Sequence, residues 1–443
     1  MHRVLIANRG EMASRLIRAF GRLGLETVSV FSEADHTYPF VEAADYPVYL
    51  NGRTVPETYL DVGRIVSAAA DAGCDVIHPG YCFLAQRMEL VRAAFGAHLP
   101  VVAPEAELME RTANPFVVFG AARQNAIPIV PTSLGVLGAE ADPLPAAAIL
   151  GVPLFVKAAR GGVRARVSSL DDLGRATQRV RQFAAALTGS ADVYLQRVIR
   201  GVFRTCNTTV VGDRHGQMFH LATTDSSLQY DYKAWIEEGG CGLHGELHQR
   251  LGEHAVALAR ALGWWGVGTV RWALTDDGGA YLLGFSGRLT TGFPVWEGIH
   301  GVDLIEAQWD AFRGAPIEWT QQDCVPHRHV VQARIVHRDM SSGSRPSQEV
   351  EGLELPEAGD DLVLDVGVAE GTACSAESDP LLVKVTAIAE DRQEALARLR
   401  RALDEVRIEG VAHNLTGVTR MLGSAAMARG AYGTHSLPEE LHG

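Results

Sequence analysis

The chain has 443 residues, with 53 acidic side chains against 40 basic ones and a formal charge of −13. Hydrophobic content of 47% beside 21% charge is that of a globular protein with sizeable cores, about two to four domains by length. No apolar run reaches the ~18 residues needed to span a bilayer, and an acidic balance without a basic cluster argues against nucleic acid as a partner.

The opening reads as an α/β domain. Val4–Ala7 is a short apolar strand, followed by the turn Asn8-Arg9-Gly10-Glu11. A helix is predicted from Met12 to Leu23, with Leu16, Ile17, Phe20 and Leu23 on one face and Gly24 as its stop. Thr27–Phe31 is the next strand, Tyr59–Ala72 the next helix, and Val76–His78 a strand ending at His78-Pro79-Gly80-Tyr81. This alternation predicts a parallel sheet with ligands at the strand C-termini.

Residues 104–127 read as a helical connector. Residues 128–187 read as a small α/β unit: strand Leu154–Ala158, a glycine-containing turn, then a helix from Leu170. Strands Thr208–Val211 and Met218–Thr223 follow, then helix Glu246–Leu262. The next strands, Gly268–Leu274 and Ala280–Phe285, are joined by the hairpin signal Asp276-Asp277-Gly278-Gly279. From about residue 325 strands return, closing with helices Arg392–Val406 and Asn414–Leu422. Residues 431–443 read as a tail.

Six cysteines (Cys74, Cys82, Cys206, Cys241, Cys324 and Cys374) lack CxxC spacing, so neither a zinc knuckle nor a disulfide framework is expected. The N-terminus lacks a signal peptide's apolar stretch, and a reduced, cytoplasmic setting is expected. Only three of the 40 bases are lysine, namely Lys157, Lys233 and Lys384. Arginine-rich codon usage accounts for the rarity, yet lysine is the base most easily tuned in pKa, so few are at hand for one cleft.

Ile6-Ala7-Asn8-Arg9-Gly10-Glu11 resembles the N-terminal signature of biotin carboxylases, the ATP-grasp subunits of acyl-CoA and pyruvate carboxylases. His78-Pro79-Gly80-Tyr81, Gly301-Val302-Asp303-Leu304, the run from Ser378 to Val385, and Ile408-Glu409-Gly410-Val411 with Asn414 match further motifs of that family. Pro104 and Ala106 fit a weaker one. The resemblance covers about residues 2–425. It implies a mixed α/β fold of ATP-grasp architecture: a Rossmann-like N-terminal domain over 1–111, a linker over 112–127, and a small α/β lid over 128–199. The second ATP-grasp half then covers 200–324, and a C-terminal antiparallel-sheet region 325–443.

In the family, ATP and metal ions drive carboxylation of biotin by bicarbonate. The resemblance places acidic metal ligands at what are here Arg271 and Gly284, a metal-binding asparagine at Ser286, and the general-base glutamate at Gly292. No neighbour in that motif offers a spare carboxylate. The linker lysine is Pro115, and the long glycine loop has shrunk to Arg160-Gly161-Gly162-Val163-Arg164-Ala165. Lys157 keeps a phosphate-lysine position, and Arg288 and Arg334 match arginines of the bicarbonate and biotin site. Glu297, Asp379, Lys384 and Tyr81 match family positions too.

Candidate catalytic residues are therefore Arg288, Arg334 and Tyr81. Candidate ligand contacts are Lys157, Arg271, Tyr232, Lys233, Glu297 and Asp379. Several have a structural alternative. Arg288 and Arg334 either clamp a carboxylate or enolate oxygen or bridge strands to acids such as Glu297. Lys157 binds an anion or is a solvated strand end. Arg271 neutralises a ligand or pairs with Asp231 or Glu297 in a collapsed cleft. Tyr230-Asp231-Tyr232 supplies acid/base groups or is an ordinary loop. His327, His329 and His337 form a surface strip ahead of a metal site, no metal ligand set being expected. Cys206 is read as a buried small residue, and Trp264-Trp265 as core.

Three readings stay open. The first is a repurposed enzyme performing a cofactor-free cyclase, isomerase or lyase step in bacterial specialised metabolism on a small anionic or carbonyl-containing ligand. In that reading binding of ATP, magnesium and biotin is lost and no cofactor is expected. The second is a non-catalytic scaffold or regulatory partner of carboxylase subunits. The third is an ATP-dependent biotin carboxylase with an altered site. The family implies a homodimer.

Overall fold

The computed structural model describes residues 1–199, 201–230, 233–239, 245–337, 348–374, 380–434 and 436. The N-terminal strands pair in parallel in the order Tyr46–Tyr49, Glu26–Phe31, Arg3–Ile6, Val76–His78. Val4, Leu5 and Ile6 are fully buried, as expected for a strand covered on both faces. Helix Gly10–Arg22 lays Leu16, Ile17 and Phe20 onto the sheet. The helix expected from Tyr59 starts later, at Val62–Asp71. The Asp61 side chain accepts the Arg64 N–H at 3.0 Å and so fixes the N-cap. Tyr59 instead lies in the preceding turn, buried, with its hydroxyl donating to Asp35 at 2.6 Å.

The connector forms two helices, Ala106–Ala113 and Pro115–Gln124. Asn114 caps the second, and Pro115 takes its first position, where a missing N–H leaves nothing unpaired. The small unit is an antiparallel sheet ordered Arg164–Val167, Leu154–Ala158, Val193–Arg197, backed by helix Leu173–Thr188.

The largest sheet among the described residues has eight strands. Their order is Ala280–Ser286, Gly266–Thr275, Val202–Gly212, Met218–Asp225, Ile236–Gly239, His329–Val336, Leu381–Ala389, Leu362–Val366. Ile236–Gly239 pairs directly with His329–Val336, so ladder hydrogen bonds cross the 324/325 boundary. Successive side chains of a strand point to opposite faces. On one face Val270, Trp272, Cys206 and Val210 pack against helix Glu246–Leu262 and Trp264-Trp265. The other face carries Arg271, Asn207 and Thr224 in one lateral row.

Two expectations need correction. The tail is anchored at its start: Tyr432 is buried and its hydroxyl donates to Glu238 at 2.7 Å, while the Thr434 N–H donates to the Phe203 carbonyl at 2.8 Å. Glu238 is fully buried and needs the Tyr432 donor; Arg392 and His329 supply the others. That pairing also breaks the expected histidine strip. His329 turns to Glu238, His327 lies exposed ahead of the strand, and His337 contacts Gln348 at 3.1 Å. Among the described residues no helix is long and apolar enough to cross a membrane.

Candidate functional site

Arg271 of the large sheet lies near enough to Lys157 and Tyr194 of the small sheet to act on their charges. Arg271 and Gly284 are direct register partners. A Cβ on Gly284 would lie 3.5 Å from Arg271 Nη2, so the guanidinium stretches over the glycine. Burial of the group lowers the Arg271 pKa; Tyr194 opposes this and Arg288 adds to it. The residue is nonetheless exposed at the surface. The expected pairing with Glu297 does not occur, because Glu297 is engaged elsewhere by Arg15, and Asp231 lies outside the described residues.

Lys157 stands on the middle strand of the small sheet, flanked by Arg164 on one neighbour and Tyr194 on the other. Its Nζ donates to Gln196 Oε1 at 2.5 Å and lies 5.9 Å from the Tyr194 ring centroid. Burial, Arg271 and Arg164 push its pKa down to about 7. It is therefore not a solvated strand end.

Arg334 is held on three sides. Its Nε donates to Gln332 at 3.0 Å, Nη1 to the Ala234 carbonyl at 3.3 Å, and Nη2 pairs with the Glu237 carboxylate. Asn207 Nδ2 and Thr224 Oγ1 also donate to Glu237, at 3.1 and 2.7 Å. The Glu237 carboxylate fills the space where a side chain on Gly292 would begin. The motif itself supplies no carboxylate, yet one stands in its space. The acid comes from a separate strand, outside the motif around Gly292. Its sequence signal was an acidic pair, Glu237-Glu238, next to the apolar Trp235-Ile236. Arg288 donates to the Leu289 carbonyl at 2.8 Å and lies close enough to Arg271 to depress its pKa.

Other candidates sit elsewhere. Glu297 pairs with Arg15 at 3.1 Å, so it bridges neither Arg288 nor Arg334. Burial raises its pKa to about 7, with Arg15 opposing and Asp303 assisting. Tyr81 is 1% exposed, its ring 5.8 Å from Lys384 Nζ, which removes it from the open cleft into the core. Lys384 itself is fully buried between Glu11 at 2.9 Å and Asp365 at 3.1 Å. Lys233 is exposed. Tyr232 and Asp379 lie outside the described residues.

The biotin carboxylase N-terminal domain model matches residues 1–109 and the C-terminal domain model residues 332–439. The carbamoyl-phosphate synthase L chain ATP-binding domain model matches 119–319. Biotin carboxylase 1 of Bacillus subtilis is 31% identical over 440 residues, 98% of either chain. This chain belongs to the biotin carboxylase family. The biotin carboxylase of Halalkalibacterium halodurans is 30% identical over 417 residues, 93% of this chain and 92% of its own. A biotin carboxylase structure from Campylobacter jejuni superposes with a TM-score of 0.90 at 28% identity, covering 98% of each chain. The biotin carboxylase domain dimer of the Hydrogenobacter thermophilus 2-oxoglutarate carboxylase, solved with MgADP and bicarbonate, gives 0.92 at 27% identity. It covers 99% of this chain and 98% of that one. The Rhizobium etli pyruvate carboxylase gives 0.92 at 29% identity, and this chain spans 41% of it.

The metal ions that the family implies find no matching donor set among the described residues. A guanidinium lies over Gly284 at the two positions where the resemblance expects acidic ligands, and magnesium takes hard oxygen ligands. Among the described residues no group of three or more His, Cys, Asp or Glu is placed to hold a metal.

Proposed function

We propose that this member of the biotin carboxylase family does not carry out magnesium-dependent ATP-driven carboxylation of biotin. Its cleft takes a small anionic or carbonyl-containing molecule instead, for a cofactor-free cyclisation, isomerisation or elimination in bacterial specialised metabolism. The observation that carries the reading is Arg271 lying across Gly284. A unit charge repels another 4 Å away by about 4 kcal/mol at an effective dielectric of ~20, and a dication by twice that. The same guanidinium attracts an oxyanion directly, and Arg288 beside it adds to the positive potential. Donors fixed before reaction stabilise charge developing on an oxygen, which is the role proposed for Arg288, Arg334 being committed to Glu237. A homodimer and the five-part domain division belong to the same proposal.

A second reading, retained carboxylase activity, is favoured by the full-length likeness to proteins named biotin carboxylase. One experiment separates the two. The purified chain is given ATP, magnesium, bicarbonate and free biotin, and ADP release is followed. In parallel, pyrophosphate binding is measured by calorimetry with magnesium or with EDTA. The proposal expects no bicarbonate- and biotin-dependent ADP, and pyrophosphate binding that EDTA leaves unchanged. Biotin-dependent ADP release overturns it. Neither turnover nor anion binding points to a scaffold.

A further inference from the structure

We propose that Lys157 is an amine nucleophile that condenses with the carbonyl of a small oxo acid whose acid group is held by Arg271. This rests on reading the cleft as a site for an anionic carbonyl compound, and it names the covalent step.

The case begins with the ladder. In an antiparallel pair, directly opposed side chains have Cβ atoms only about 4.5–5.5 Å apart, and like charges there are destabilising. Lys157 is opposed by Arg164, and Arg271 approaches it from the large sheet. Across the other edge stand Tyr194, a phenol whose pKa burial pushes up to about 12, and the neutral amide of Gln196. Arg288 lies beyond Arg271. No described carboxylate faces Lys157. Where a lysine needs a counter-ion it has cations and neutral dipoles, so the uncharged amine is favoured. A lysine made nucleophilic by burial and a second cation is an established way to form Schiff bases, and the depressed pKa agrees with it.

The step balances without an added reagent. The neutral amine adds to the carbonyl carbon, giving a carbinolamine. Both amine protons end on the former carbonyl oxygen, which leaves as water, and a C=N bond remains. The carbonyl carbon is neither oxidised nor reduced, and protonation from solvent gives the iminium.

The lysine count makes the test clean, since only Lys157, Lys233, Lys384 and the N-terminus can react. The full chain is treated at pH 7.5 with glyoxylate and cyanoborohydride, and the carboxymethylated peptides are mapped and timed. An ordinary lysine is neutral at about one part in a thousand at this pH, so Lys157 is expected to label at least about tenfold faster than exposed Lys233. Pyrophosphate should slow Lys157 labelling. Arg271→Ala should slow labelling by glyoxylate more than by neutral acetaldehyde: both lose a cation that keeps the amine neutral, and only the acid group also loses its guanidinium. Lys157→Met, with an unchanged melting profile, should abolish the fast phase. Lys157 labelling no faster than Lys233 in the folded chain sinks the proposal, as does equal sensitivity of both aldehydes to Arg271→Ala. If labelling fails while EDTA-insensitive pyrophosphate binding persists, the anion cleft stands and only the amine chemistry falls. Biotin-dependent ADP release instead removes the reading beneath it.

Discussion

Glu237 and Gly292 share one space: the carboxylate of the first lies where the side chain of the second would start, and it is bonded there to Arg334, Asn207 and Thr224. Arg334 and Glu237 are both buried, so each is the other's counter-charge. The acid of this end of the cleft is thus tied to an arginine from a strand of the C-terminal region.

Removing Glu237 is expected to cost stability first. Glu237→Ala leaves a buried guanidinium unpaired, a loss of about 3–5 kcal/mol. Glu237→Gln keeps the shape and an acceptor and should lose less. Urea unfolding midpoints of the two variants check this order, and equal midpoints would contradict it.

Arg271 is expected to set anion affinity without a metal. Arg271→Ala should weaken pyrophosphate binding by about tenfold, which is roughly 1.4 kcal/mol. Calorimetry in EDTA measures it. A magnesium requirement for binding to the native chain would show that the guanidinium does not stand in for a metal.

Acid should destabilise the chain through two neutral histidines. His78 Nδ1 accepts the Gly80 N–H at 3.0 Å, and His300 Nε2 accepts the Ala222 N–H at 2.9 Å. Burial pushes both pKa values down to about 3, helped at His300 by His327, His248 and His220, and opposed at His78 by Gln308. The unfolded chain therefore binds more protons than the native one between pH 6.5 and about 3, so stability falls as pH drops through that window. Each histidine contributes a slope of about 1.4 kcal/mol per pH unit. Stability curves of His300→Gln against the native chain should converge toward low pH; parallel curves would exclude the effect.

Lys384 is expected to be structural. Lys384→Met would remove the buried cation between Glu11 and Asp365 and leave Asp365 with Arg18, and breaking such a group by removing one member costs about 3–5 kcal/mol. The fall should appear in the thermal midpoint and be partly restored by a second change, Asp365→Asn.

The amino-acid sequence alone determined the local elements and the family. Apolar runs of the right period gave Val76–His78 and Glu246–Leu262 with their observed ends, because strand and helix periodicity are set within a few residues. It also showed glycine and arginine at positions 284 and 271, where the resemblance expects acids. Only the tertiary structure decided what surrounds those positions. That Glu237 enters the space beside Gly292, that Arg271 lies over Gly284, and that Lys157 faces arginines with no described acid follow from ladders between strands far apart in the chain. The sequence also misplaced Tyr81 and the start of the tail, because burial against Lys384 and the need of Glu238 for donors arise only once distant segments meet. A buried charge takes its character from whatever surrounds it in space, and the chain order does not record that.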